Sequence, residues 1–503
     1  MLTLSMIVKN EEKYLEDCLR SVESVVDEIV IVDTGSSDRT LDIAQKYKAK
    51  IFHFDWVNDF SAARNFALEK STGDWILYLD ADERLREKDK KKIKTLLLGS
   101  NKRSAFSLVV NSINEVNNRA EKMNYVRLFP NNPKIKFEGA AHEQIVPSLL
   151  KNNYKIVITG IEIIHLGYNI SKEELQRKAE RNLSILLEDY KNKKSSYVAF
   201  QIAQSYAMLD KEREAINYFS FSLKDAKLAK EFKSLAYRYI AAYEAKKFEW
   251  EKALENIKMS LNEDKRQPLS YFIAAKILLS IKNFPEADRY CRMALEANKQ
   301  STVEISSSIT DYVILIDEKI ILYLGLGVSI NGKLKESFNF YYTELINLLK
   351  KNKDYFEIDF LYQIINNQEI KFDELKYYLN FISKDNLEVI TELLKDYQFS
   401  SVKIKIIEEL VKKFPNNSTL LNFLADENNR LGKQEIAERL FNQSIKEVPE
   451  DPRTYFALIT FYIRTGKLYL ALEIAEKAKY VFANVPEVLN RMEIIKNKIQ
   501  GYL

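Results

Sequence analysis

Asp80 and Asp82 stand one residue apart at the end of an apolar run, Trp75-Ile-Leu-Tyr-Leu79. If a strand ends there, positions i and i+2 project to one side, and the two carboxylates can converge on a single cation. A hard divalent ion is held by one or two carboxylates with substrate phosphates completing its shell, so Mg²⁺ is expected and Mn²⁺ suits the same oxygens. The competing reading is a turn in which the two aspartates cap the next helix. Of the three histidines, His142 lies in Gly139-Ala-Ala-His142-Glu143-Gln144 and His165 in Ile163-Ile-His165-Leu-Gly-Tyr168. His53, mid-strand before Trp56, reads as structural.

These residues need a scaffold, and the pattern around them supplies one. From Met1 to about Leu85 short β-branched runs (2–8, 28–33, 50–54, 74–79) alternate with amphipathic helical stretches (about 12–22, 38–47, 60–70), which predicts βαβ units and a parallel sheet. Ser37 or Asp38 is expected to cap the second helix. Ligands gather at the carboxyl ends of parallel strands, the end where Asp80 and Asp82 fall. Between Ala105 and His165 the predicted strands (106–110, 125–129, 155–164) lack long intervening helices, so an antiparallel addition to the sheet is expected.

Four motifs follow one another in order: Ser5-Met-Ile-Val-Lys-Asn10-Glu11-Glu12, Ile29-Val-Ile-Val-Asp33-Thr-Gly-Ser-Ser-Asp38-Arg-Thr, Asp59-Phe-Ser-Ala-Ala-Arg64-Asn65, and the D-x-D of Asp80 and Asp82. Together they resemble the family 2 glycosyltransferases of GT-A fold, over about the first 170 residues. The resemblance implies a nucleotide-sugar donor, a UDP-sugar by preference. It places Val8, Asn10, Glu11 and Asp33 against the nucleotide, Arg64 on the base or diphosphate, and Asp80 and Asp82 on the ribose and the metal. A charged acceptor on a ribose hydroxyl or a uracil edge makes strong hydrogen bonds; for Asp33 the alternative is a capping turn with Ser36 and Asp38. The two later histidines resemble a branch that includes lipopolysaccharide core glucosyltransferases and the peptide S-glycosyltransferases of glycocin pathways. In inverting members a carboxylate after the antiparallel strands is the general base, which implies Glu143, with His142 as competitor or as a group orienting the acceptor. The plain alternative makes Glu143 a first-turn helix residue. His165 is implied as a third metal ligand, or is an edge-strand histidine. The Q-x-x-R-W motif of processive relatives is absent, so one transfer per encounter is expected.

Beyond about Ser171 the chain is almost purely helical in pattern. Pro415 recurs as Pro449, Gly432 as Gly466 and Ala437 as Ala471, and Ala253 recurs as Ala287. This spacing is the 34-residue tetratricopeptide period, and the second half resembles that repeat family. Residues 1–170, with a helical extension to about 195, are therefore read as the α/β domain, and 196–503 as a repeat array that is degenerate near 300–320 and 354–400. Such arrays present a concave groove that suits a protein or peptide acceptor. The many Tyr and Phe residues read as packing between helices rather than as a binding stripe.

Composition sets the outer limits. A chain of 503 residues exceeds one core, and 12 Gly with 9 Pro leave little room for a disordered linker. The net charge of +4 is spread along the chain, which disfavours a nucleic-acid partner, and the Lys88–Lys94 cluster reads as a solvated helix face. Cys18 and Cys291 read as small buried hydrophobes, not a disulfide. No basic leader precedes the first apolar run, and the run from Tyr312 to Val328 is broken by Asp317, Glu318 and Lys319; a cytoplasmic protein without transmembrane segments is expected, with self-association left open. Transfer to a lipid-linked or surface saccharide and a non-catalytic scaffold are the competing functions. Nucleotidyl transfer is disfavoured, because no glycine-rich basic loop follows the first strand.

Overall fold

The computed structural model describes residues 1–114, 119–166, 172–192, 194–303 and 312–501. Two compact units divide the chain: Met1–Glu244 with Glu251–Ile277 and Arg289–Glu318, and Ala245–Trp250 with Leu278–Asp288 and Lys319–Leu503.

The first unit opens with the alternation read from the sequence: β1 (Leu2–Val8), α1 (Leu15–Val22), β2 (Glu28–Asp33), α2 (Thr40–Lys46), β3 (Lys50–His53), α3 (Phe60–Lys70) and β4 (Trp75–Tyr78). Then come β5 (Glu83–Leu85), α4 (Glu87–Leu98), β6 (Ser104–Asn114), β7 (Arg119–Pro130), α5 (Val146–Lys151), β8 (Lys155–His165) and α6 (Lys172–Asn192). The strands form one mixed sheet in the order β3-β2-β1-β4-β7-β6-β8-β5. The first four are parallel, β7 runs antiparallel between β4 and β6, and β8 returns parallel to β6. Leu2, Leu4, Met6 and Val8 of β1 bury one face against Leu15, Leu19 and Val22 of α1. Thr3 and Ser5, on the other face, are buried too, as a central parallel strand covered on both sides requires.

Two features correct the sequence reading. The apolar run does not carry Asp80 and Asp82 on a strand: β4 stops at Tyr78, and Asp80 to Glu83 form a turn in which the Glu83 N–H donates to the Asp80 carbonyl at 3.0 Å. A short strand, β5, then pairs antiparallel with β8, opposing Glu83 to His165. A strand from far along the chain, β9 (Tyr312–Ile316), pairs with Arg119–Met123 of β7, where pattern alone showed an interrupted apolar run. The start of α2 lies at Thr40, whose N–H and hydroxyl both donate to Asp38 Oδ1.

The second unit is built of helix pairs, and its last repeats show the reason for the 34-residue period. Asn417 and Asp451 occupy equivalent caps, each accepting a first-turn backbone N–H. Gly432 and Gly466 take left-handed φ values of +76° and +74° at the hairpin turns, and Ala437 and Ala471 are fully buried where helices meet. Between 355 and 396 the pattern breaks into Tyr355–Ile365, a four-residue helix Leu375–Tyr378, and Leu387–Asp396. The degenerate stretch near 300–320 lies partly outside the described residues.

A polar hub holds the amino end of the parallel sheet. The buried Glu28 carboxylate accepts from Lys50 Nζ at 2.7 Å, from the Thr72 N–H at 2.8 Å and hydroxyl at 2.7 Å, and from the Thr3 hydroxyl. Burial pushes this carboxyl up, but those donors outweigh it and hold it at about 2 against an ordinary 4.5. A depressed folded value means that the stabilisation is complete above about pH 4.5 and is lost as the pH falls through about 2. Glu28→Gln is expected to cost about 2–3 kcal/mol at pH 7 in urea titrations. The difference from the wild type should shrink steadily below pH 4; a gap that persists unchanged to pH 2.5 would refute the charge-based account.

Candidate active site

The third motif of the sequence works as a clamp. Asp59 caps α3, accepting from the Ala62 N–H at 3.0 Å and the Ser61 hydroxyl at 2.7 Å. One turn on, Arg64 points inward. Its Nη2 donates to Asp80 Oδ1 at 2.7 Å and its Nε to Glu143, with the guanidinium 5.1 Å from the Tyr78 ring and 5.6 Å from that of Phe137. Asn65 then binds the Phe137 backbone twice, accepting its N–H at 2.8 Å and donating to its carbonyl at 3.0 Å. One helix thus grips both the acidic turn and the 137–144 loop.

Arg127 of β7 is the second buried guanidinium. It donates to Glu83, lies 3.5 Å from Asp80 Oδ2 and packs 4.3 Å from the Tyr78 ring. Its Nε has no hydrogen-bond partner among the described residues. Burial opposes ionisation of Asp80, but Arg64 and Arg127 outweigh it and hold the carboxyl well below its usual range. For Glu83 burial wins over Arg127 and pushes the carboxyl up to about 7. Arg84 pins the turn from outside, donating to the carbonyls of Ala81 at 2.7 Å and Tyr14 at 2.5 Å.

Asp82 faces His165, whose Nε2 is 3.4 Å from Asp82 Oδ2 while Nδ1 meets the Ser112 hydroxyl at 2.8 Å. The β5–β8 pairing makes this approach possible, because it sets His165 beside the residue that follows Asp82. The Ser112 hydroxyl at Nδ1 fixes the orientation of the ring and leaves Nε2 facing Asp82. Asp82 and His165 therefore suit a divalent cation completed by phosphate oxygens, whereas both Asp80 oxygens already face guanidiniums. Among the described residues, no three His, Cys, Asp or Glu side chains converge to hold a metal unaided.

These groups wall a cleft of about 540 Å³ at the carboxyl ends of β1 and β4. Val8, Glu11, Arg64, Asp80, Asp82, His142, Glu143 and His165 all line it. Burial, then Asp82 and Asp80, push the Glu11 carboxyl up to about 7, with Lys178 opposing. Asn10 and Asp33 are not among its walls. Asn10 accepts from the Ser37 N–H at 2.8 Å, joining the first two motif loops, and the Asp33 carboxylate accepts from the N–H groups of Gly35 at 3.2 Å and Ser36 at 3.0 Å. Gly35, at φ +104°, permits that turn. His53, exposed at the end of β3, lies 3.6 Å from Asp33. His142 projects from the loop tip at φ +53°.

Sequence reasoning missed three contributors. Arg127 left a signal as the one charge inside the apolar run Tyr125–Pro130. Lys178 and Arg181 of α6 also line the cleft, and their i, i+3 spacing was legible, but without the fold it had no target.

The class these features define is a mixed α/β domain with an acidic turn and a polar cleft at the carboxyl ends of its parallel strands. Residues 3–169 match the family model for glycosyl transferase family 2, and a largely helical region follows them. A TPR repeat-containing protein of Synechococcus elongatus is 38% identical over 185 residues, 36% of this chain and 45% of that one. The SPbeta prophage-derived glycosyltransferase SunS of Bacillus subtilis is 31% identical over 232 residues, 45% of this chain and 54% of that one. The chain thus spans about half the length of the curated relatives it matches. Among solved structures, S. aureus TarS aligns with 53% of this chain and 55% of its own at 15% identity and a TM-score of 0.29.

Arg64 and Glu143 are each only 10% exposed in their side chains, so their pairing is a buried one. Arg64→Met leaves two carboxylates facing each other and is expected to lower stability by about 3 kcal/mol. Glu143→Gln in the same chain should restore part of it. A double-mutant cycle in urea that gives additive effects would refute the coupling.

Proposed function

We propose that this protein moves a sugar from a nucleotide-sugar donor, by preference a UDP-sugar, to a protein or peptide side chain, in one metal-dependent transfer that inverts the anomeric carbon. The observation that carries the reading is the placement of Asp82 and His165 on one wall of the cleft and Glu143 on a separate segment of it. A direct displacement needs that separation, because the acceptor must attack from the side opposite the departing diphosphate. Mg²⁺ or Mn²⁺ held by Asp82 and His165, with Asp80 beside them, would supply charge neutralisation to the leaving group.

The chain's own groups do the rest. Glu11 and Val8 border the donor from the first loop, while Asn10 and Asp33 shape that loop rather than reach into the cleft. Glu143 accepts the acceptor's proton. A hydroxyl bonds to the sugar ahead of its proton's departure, whereas a thiol, with a free pKa of about 8.5, asks less of the same carboxylate. His142, beside it, orients the acceptor. The second unit has its own cavity of about 730 Å³, walled in part by Trp250, Phe456, Arg453 and Arg491, with Arg491 lying 4.5 Å from the Phe456 ring. Mixed aromatic and charged walls suit a polypeptide, and the relative named as a glycosyltransferase supports the sugar-transfer reading.

Chelation by EDTA and Asp82→Asn should each abolish transfer, the variant keeping its circular-dichroism melting curve. Full activity of Asp82→Asn in metal-free buffer would remove the metal from the scheme. Glu143→Gln should lower kcat by about 10²–10⁴-fold on a hydroxyl acceptor while donor affinity holds, and His142→Ala should act mainly on acceptor KM. Product configuration, read by NMR, is expected to be inverted; a retained anomer excludes this mechanism.

A further inference from the structure

Resting on the nucleotide-sugar reading above, we infer that Lys178 and Arg181 of α6, a helix that begins after the residues matching the glycosyltransferase family, supply the cationic grip on the donor's diphosphate. Apart from these two, the cleft sets Lys9, Arg64 and Arg127 against Glu11, Asp80, Asp82 and Glu143, and a diphosphate would add further negative charge. Its two buried guanidiniums are already committed: Arg64 to Asp80 and Glu143, and Arg127 to Glu83. Turning either toward a ligand would strip a buried carboxylate of its partner.

Lys178 and Arg181 are placed differently. Both are exposed on α6 and both line the cleft together with Glu11, whose carboxylate interacts electrostatically with each of them. Arg181 also donates to Asn182 Oδ1 at 3.3 Å and lies 5.1 Å from the Phe60 ring, which fixes the plane of its fork without consuming it. Leu183 and Leu186 of the same helix pack in one cluster with Ala141, against which Trp56 and Phe60 also pack, so the helix that bears the cations is packed against the segment that carries His142 and Glu143. A point charge beside a planar fork, one turn apart, suits two linked phosphates.

The test is calorimetric titration of the full chain with UDP and with uridine, in Mg²⁺, alongside a GDP, ADP and dTDP panel. Lys178→Ala and Arg181→Ala should each weaken nucleoside diphosphate binding on the order of tenfold or more. Uridine affinity should be unchanged in both, and Lys178→Arg should restore most of the lost UDP affinity. Added salt should erode the wild-type advantage for UDP over uridine. A folded double variant that binds UDP as tightly as the wild type overturns this assignment while leaving the glycosyltransferase reading intact. Equal losses for UDP and uridine overturn it as well, since they indicate a displaced helix rather than a lost phosphate contact. A wild-type protein that binds none of the four diphosphates overturns both readings.

Discussion

Carboxylates gathered at the end of a sheet repel one another, and Asp80, Glu83 and Glu143 can share this space because Arg64 and Arg127 are buried among them. The arrangement is demanding. A buried ion pair recovers its desolvation cost only when geometry and further hydrogen bonds are good. Here each guanidinium reaches two carboxylates and packs on Tyr78, a duty that the planar fork of arginine meets and the point charge of lysine does not. The backbone follows from this. The acidic turn, the cap of α3, the Asn65 clamp and the loop bearing Glu143 all bring a charge to that cluster or hold one there.

The same cluster shows why the sequence was informative about some site residues and not others. The order of motifs was readable because each is a short run at a strand end, and Val8, Glu11, Arg64, Asp80, Asp82, His142, Glu143 and His165 do converge on one cleft. What could not be read was the partner of each charge. A pattern with period two cannot tell a strand that ends in aspartates from one that stops two residues earlier, so the turn at Asp80–Glu83 stood only as the competing reading. Asp33 was open to a binding or a turn-forming reading, and its carboxylate accepts the N–H groups of its own turn. Arg127 and the α6 cations depend on tertiary placement, which no local spacing encodes.

Legibility in the repeat half followed a different rule. Where caps, left-handed glycines and buried alanines recur together, as from Asn417 to Ala475, the period could be read directly. Where side chains substitute for that punctuation it could not. Tyr323 and Lys319 both reach the buried Glu357, and a buried Tyr397 hydroxyl donates to the Gln368 carbonyl, so individual polar contacts locate the turns that glycine and proline mark elsewhere.

The late strand β9 bears on how such a chain can be made. A ribosome delivers the first eight strands in order, but the outer edge of Arg119–Met123 stays unpaired until Tyr312–Ile316 has emerged. At about 5–20 residues per second that delay is on the order of ten seconds or more. An open strand edge is a template for pairing with another chain. The nascent protein therefore passes through an interval in which self-recognition competes with completion of its own sheet, and codon usage or chaperone capture between these two segments becomes a determinant of yield.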